Sequence, residues 1–188
     1  MGLSCFNISI SIPALLTHSC SILRLEYIFT ALLPPIPADK KILDVGSRLG
    51  AVLYGAYTLT KANQILGVEM NEDFCEIANT TVQKYNMDDR ITVMHAELST
   101  VPEVLREADV VILHNVFDWF VPAEVQIVIW QLIRANLKQG TLLVTSPEIQ
   151  QSLKPLPVSE KCSKLRVCFV SSFGWEFFSE ALKIFFRK

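Results

Sequence analysis

Residues 42–50 read Ile42-Leu43-Asp44-Val45-Gly46-Ser47-Arg48-Leu49-Gly50: a short aliphatic run interrupted by an acid, then a loop bounded by two glycines. Glycine tolerates the torsions of a sharp turn and lets a ligand approach the backbone. Lys41–Val45 therefore predicts a strand, and Ala51–Lys61, apolar on one side, predicts the helix that leaves the loop.

The same unit recurs downstream. Gln64–Val68 predicts a strand ending at Glu69, and Asn71–Tyr85 a helix with Phe74, Cys75, Ile77, Ala78 and Val82 at helical spacing. Arg90–Met94 predicts a third strand, closed by His95-Ala96-Glu97, with a short helix over Val101–Arg106. Asp109–Leu113 is a fourth, almost wholly aliphatic strand, Pro122–Leu137 a helix stopped by Gly140, and Thr141–Thr145 a fifth strand. Strands that are aliphatic without alternation, each separated by a helix, are buried on both faces. The fold class expected is α/β: a three-layer, Rossmann-like sandwich around a mostly parallel sheet.

Pro34-Pro35-Ile36-Pro37 cannot continue a helix and divides the chain. Residues 1–37 read as an apolar, helical leader and residues 38–188 as one domain. In its last part, 151–188, Lys154–Lys164 reads as a polar loop, Leu165–Val170 as a strand, and Trp175–Phe186 fits helix or strand equally. The leader carries only Arg24 and Glu26 as charged side chains, and no basic residues precede its apolar stretches, so it does not read as a signal peptide. Ile8–Leu16 and Ile22–Leu33 fall short of the roughly 20 apolar residues a membrane span needs. No membrane span is expected.

With 51% hydrophobic and 19% charged residues, the chain has the composition of a globule with a large core. A net charge of −2 gives no global field toward phosphate backbones or anionic membranes. The cysteines Cys5, Cys20, Cys75, Cys162 and Cys168 form no C-x-x-C pair and offer no zinc spacing, so no metal is expected. Scattered thiols suit a reducing compartment, cytoplasmic or nuclear.

In an open parallel sheet the ligand lies beyond the carboxyl ends of the strands. Those ends carry Asp44, Glu69, Glu97 and Asn115. A dinucleotide loop wants G-x-G-x-x-G, with pyrophosphate resting on the backbone. Here Asp44 stands two places before Gly46, where a carboxylate repels pyrophosphate and attracts an ammonium. That charge favours S-adenosylmethionine as the cofactor.

Residues from about Ile42 to Ile149 resemble the class I S-adenosylmethionine-dependent methyltransferases, strand by strand in that family's order. The resemblance implies that Asp44, Gly46, Ser47 and Gly50 hold the methionine part of the cofactor. It implies that Glu69 binds the ribose hydroxyls, that Met70 packs on adenine, that Glu97 accepts from the adenine amino group, and that Ala96 and Asn115 also belong to the cofactor-binding set. The family usually has a glycine where Arg48 stands. Asn115-Val116-Phe117, Pro122-Ala123-Glu124 and Leu137-Lys138-Gln139-Gly140 are also similar to the non-SET histone-lysine methyltransferases. The basic segments by which those enzymes hold nucleosomes have no counterpart here, so histone specificity does not carry over.

The acceptor side is expected at His114–Phe120. His114, Asn115 and Phe117 are the candidate catalytic residues: the imidazole as a base, the amide to orient an amine, and the ring to line a channel with Trp119 and Phe120 and attract a cationic amine. Taken singly, a strand histidine or a ring is more often a packing residue. Methyl transfer from a sulfonium depends chiefly on proximity and orientation. The expectation is therefore methyl transfer to a nitrogen or oxygen acceptor, on a protein in preference to nucleic acid. Arg48 motivates an alternative, an inactive cofactor-fold binding module. A nicotinamide-dependent oxidoreductase is a further alternative, against which Asp44 speaks. The family closes its sheet with an antiparallel hairpin, for which Leu165–Val170 and Trp175–Phe178 are the candidates.

Overall fold

The strand bearing Asp44 runs through the middle of a six-stranded sheet in the order β3-β2-β1-β4-β5-β6. A computed structural model describes residues 20–116, 121–146 and 167–169. The strands are β1 Lys41–Val45, β2 Gln64–Glu69, β3 Ile91–His95, β4 Val110–His114, β5 Leu142–Ser146 and β6 Val167–Phe169. The helices are α1 Ile22–Glu26, α2 Ala51–Leu59, α3 Glu72–Lys84, α4 Glu103–Glu107 and α5 Ala123–Asn136. Every strand pairing is parallel. The chain winds outward from β1 to β3, then returns to β1's other side with β4. The crevice between β1 and β4 is thus the switch point where such folds place ligands.

Burial explains the unalternating strands. Ile42, Ile65, Val110 and Ile112 pack with Val52, Leu53 and Ala56 of α2 and Val82 of α3 on one face. Leu43, Val45, Val111 and Leu113 pack with Leu105 of α4 and Trp130 and Ile133 of α5 on the other. Successive residues of one strand point to opposite faces, and here both faces are covered.

The leader joins the first of these layers. Ser21 caps α1, its hydroxyl accepting the Arg24 N–H at 3.3 Å, and the helix runs on as π-helical turns over Tyr27–Leu32. Leu25, Ile28, Phe29, Leu33 and Ile36 are all buried in the cluster shared with α2. Leu25 lies so close to α2 that a Cβ built on Gly55 would stand 3.1 Å from its Cδ2.

Three expectations need amending. Helix α2 ends at Leu59, not Lys61, because the backbone turns extended at Thr60. Arg90 holds this end: its guanidinium donates to the carbonyl of Tyr57 in the last turn and to those of Thr60 and Ala62 beyond it, and lies 3.9 Å from the centre of the Tyr57 ring. Helix α5 ends at Asn136, with Leu137 already extended, so Gly140 (φ +92°) serves the turn into β5 instead of stopping the helix. The Leu165–Val170 segment supplies a strand over Val167–Phe169, but it pairs parallel to β5, with Leu143 opposite Val167, and is not an arm of an antiparallel hairpin on that strand. Residues 154–164 and 175–186 lie outside the described residues. Among the described residues, no helix is long and apolar enough to cross a membrane.

Candidate functional site

The loop after β1 is built from left-handed backbone. Gly46, Arg48 and Gly50 have φ of +70°, +50° and +88°. The Gly46 and Ser47 N–H groups donate to the Val68 carbonyl at 2.8 and 3.2 Å, which folds the loop back over β2. At Gly50 only hydrogen fits, since a Cβ there would stand 2.6 Å from the Tyr54 ring. Arg48 is the exception: a non-glycine residue in this region costs roughly 1 kcal/mol or more. Its own N–H offsets part of that cost by donating to Glu69 Oε2 at 2.9 Å.

Glu69 is buried, and each of its oxygens accepts a backbone N–H. Its second oxygen, Oε1, accepts the Asn71 N–H at 2.9 Å, and Asn71 in turn caps α3 by accepting the Phe74 N–H at 3.0 Å. The carboxylate therefore ties the loop after β1 to the start of α3. Gly67 lets the loop lie this low, because a Cβ there would stand 2.7 Å from both Ser47 Oγ and Leu53 Cδ1. Sequence reading passed over Gly67, although a glycine inside an apolar strand is a known sign of close approach.

Asp44 is the opposite case. It is 2% exposed, yet no donor among the described residues reaches its carboxylate. Burial, and then the charge of Glu69, hold its carboxyl well above the usual range. It lines a pocket with Gly46, Ser47, Arg48, His114, Cys20 and the first residues of α2. The buried Ser47 hydroxyl also lacks a partner. Unsatisfied buried polar groups are costly. A site holding an unpaired acid, beside the positive end of a helix, fits a ligand that carries an ammonium and a carboxylate together.

At the end of β4, the His114 Nε2 accepts from Arg24 Nη1 at 3.0 Å, which places the ring proton on Nδ1 because a guanidinium only donates. Asn115 has φ +54° and donates its N–H to the Ser146 carbonyl at 2.6 Å. Val116 rests on the first loop, within 3.1 Å of where a Gly46 Cβ would be. Phe117, Trp119 and Phe120 lie outside the described residues. At the far edge, Met70 is 72% exposed and its carbonyl accepts from His95 Nε2 at 3.1 Å. The Ala96 N–H donates to the Glu69 carbonyl at 2.9 Å, and the exposed Glu97 accepts the Ser99 hydroxyl at 2.6 Å. Asp44, Gly46, Ser47 and His114 thus share one pocket, with Gly50 starting the helix beside it. Glu69 joins them through the Arg48 amide, and Met70, Ala96 and Glu97 follow along the open edge. Sequence reading did not place Cys20 or Arg24 here, because nothing local links the leader to β4. Among the described residues no group of His, Cys, Asp and Glu is arranged to hold a metal.

The family model for a methyltransferase domain matches residues 42–140. No curated protein sequence matches the chain. Among solved structures, precorrin 8W decarboxylase of Methanobacterium thermoautotrophicum is similar at a TM-score of 0.55 and 14% identity, covering 76% of this chain and 69% of that one. An RNA methyltransferase from Salinibacter ruber, in complex with S-adenosyl-L-homocysteine, is similar at 0.50 and 18%, covering 73% and 76%. PKMT2 from Rickettsia typhi is 26% identical at a TM-score of 0.49, covering 63% of this chain and 23% of its own length. The chain therefore spans under a quarter of that protein.

Proposed function

Because the chain belongs to the methyltransferase-domain family, we propose that it binds S-adenosylmethionine in the β1–β4 crevice and transfers the methyl group to a nitrogen or oxygen acceptor on a protein. The observation that carries this is Asp44: a buried carboxylate without a donor, in a pocket of glycine-loop backbone, is the partner an α-ammonium lacks in solution. Glu69 lies one strand over, and a carboxylate that already holds two amides presents its remaining lone pairs to a ribose diol with fixed geometry. Met70 and Glu97 stand next along the edge, for the adenine face and its amino group.

The cofactor supplies an electrophilic methyl on a sulfonium. The chain's own residues bind and orient. Asp44 takes the ammonium, the loop fixes the cofactor's middle, and Asn115, set at a left-handed turn beside the pocket, positions the acceptor. His114 serves as a positioning residue, since its Nε2 is engaged by Arg24. The slightly acidic chain, with charge −2, favours a protein acceptor over nucleic acid. Buried, free Cys20 and Cys75 fit work in a reducing compartment, cytoplasm or nucleus.

Calorimetry with S-adenosylhomocysteine tests the reading. Saturable binding is expected, weakening as pH falls, because the Asp44 carboxyl is held above its usual range and only its ionised form pairs with the ammonium. No binding at millimolar ligand would sink it. Arg48, strained where the family has glycine, favours a second reading: a module that binds cofactor without turnover. Methyl transfer from labelled cofactor to any protein of a cell lysate excludes that second reading.

A further inference from the structure

We propose that Arg24, carried into the site by the leader helix, receives the α-carboxylate of the cofactor's methionine moiety, so that the leader is a wall of the cofactor site. This rests on the methionine-site reading of Asp44. An α-amino acid presents its ammonium and carboxylate on one carbon, so a site that takes both needs an acid and a base close together. Asp44 supplies the acid.

The base is indicated by three observations. Arg24 Nη1 is 3.0 Å from His114 Nε2, and the His114 ring lines the same pocket as Asp44. Among the described residues that is the one hydrogen bond of its guanidinium, which has five N–H donors in a fork matched to a planar carboxylate. Cys20, also at the pocket, feels both charges. Burial pushes its thiol up to about 11, with Arg24 pulling it down and Asp44 pushing it further up. The charges of Arg24 and Asp44 thus both act on a single side chain of the pocket wall.

The leader's packing makes this placement firm. Leu25, next in sequence, is buried against Gly55 of α2, and Ile28 and Phe29 follow it into the core. Arg24 is therefore fixed on the pocket side of an anchored helix. Arg48 lines the pocket itself, with its Nη1 buried and its backbone N–H given to Glu69 Oε2, whereas Arg24 reaches the pocket through the His114 ring, and the variants below tell the two apart.

The experiment compares S-adenosylmethionine with its decarboxylated form, which keeps the ammonium, sulfonium and nucleoside and lacks only the carboxylate. Dissociation constants are measured for the full chain and for Arg24→Gln, Arg24→Lys and Arg48→Gln. The wild-type chain is expected to prefer the carboxylated ligand by about 10- to 100-fold. Arg24→Gln should erase that preference by weakening only S-adenosylmethionine, Arg24→Lys should keep part of it, and Arg48→Gln should leave it intact. The preference is a ratio within one variant, so partial loss of folded protein does not disturb it. Equal weakening of both ligands by Arg24→Gln, or an unchanged preference, overturns the proposal. A preference abolished by Arg48→Gln instead overturns it in favour of Arg48. If the wild-type chain binds neither ligand, the methionine-site reading itself has failed, and this proposal with it.

Discussion

Asp44 and Glu69 are both acids near the ends of adjacent parallel strands, both almost wholly buried, and the structure treats them in opposite ways. Glu69 receives two backbone N–H groups and stitches the loop after β1 to α3. Asp44 receives none among the described residues, and its carboxyl is pushed up by burial and by Glu69. One carboxylate is part of the architecture; on the proposed reading the other is held for a ligand's ammonium. A buried acid without donors is costly to the free protein, which is how binding sites commonly trade stability for function. On the proposed reading the pair also separates the site into an enclosed amino-acid end and an open nucleoside edge.

The largest effect is expected from Asp44→Asn. It should weaken S-adenosylhomocysteine by on the order of 100-fold or more, the scale of removing one partner of a buried charge pair. The same change should stabilise the free chain at pH 8 by about 1–2 kcal/mol. The sign follows from linkage: a group whose folded pKa is raised contributes stability fully present below its unfolded value and lost as pH rises through the folded one. The gain over wild type should therefore shrink toward pH 4, as followed by thermal unfolding across pH. A loss of stability at pH 8 would break the contrast with Glu69.

Glu69→Gln should behave the other way. An amide keeps one acceptor and turns a donor toward the second backbone N–H, so the free chain should lose about 1–3 kcal/mol. Hydrogen exchange of the Arg48 and Asn71 amides, compared between variant and wild type, locates that loss. Unchanged protection of both would mean that Glu69 is no strut.

The smallest effect belongs to Glu97→Ala. Glu97 is exposed, and among the described residues its side chain accepts a hydrogen bond from the Ser99 hydroxyl. The unfolding midpoint should stay within about 2 °C, while affinity for the cofactor falls by roughly 3- to 10-fold through loss of one hydrogen bond at an exposed edge. An affinity change without a stability change would confirm the open edge as a binding surface; a stability change alone would assign Glu97 to the 3₁₀ turn after β3.

The order of strands and helices was legible because each strand is an unbroken aliphatic run and each connection carries its own start or stop. The acids at Asp44, Glu69 and Glu97 were legible because a parallel sheet sends every strand end to one side. The different condition of Asp44 and Glu69 was not, since both read as an acid after apolar residues. Donor supply depends on how the loop folds back, and that depends on Gly67 having no Cβ to lift Ser47 off β2.

Arg24 marks the same boundary. By itself the sequence determined the parallel α/β architecture and the glycine loop, because hydrophobic period and backbone freedom are local properties. Only the tertiary structure brought a leader arginine to a histidine 90 residues away and left Asp44 without a donor, because contacts across the sheet's crevice are set by packing, and packing is not written in any single stretch of chain.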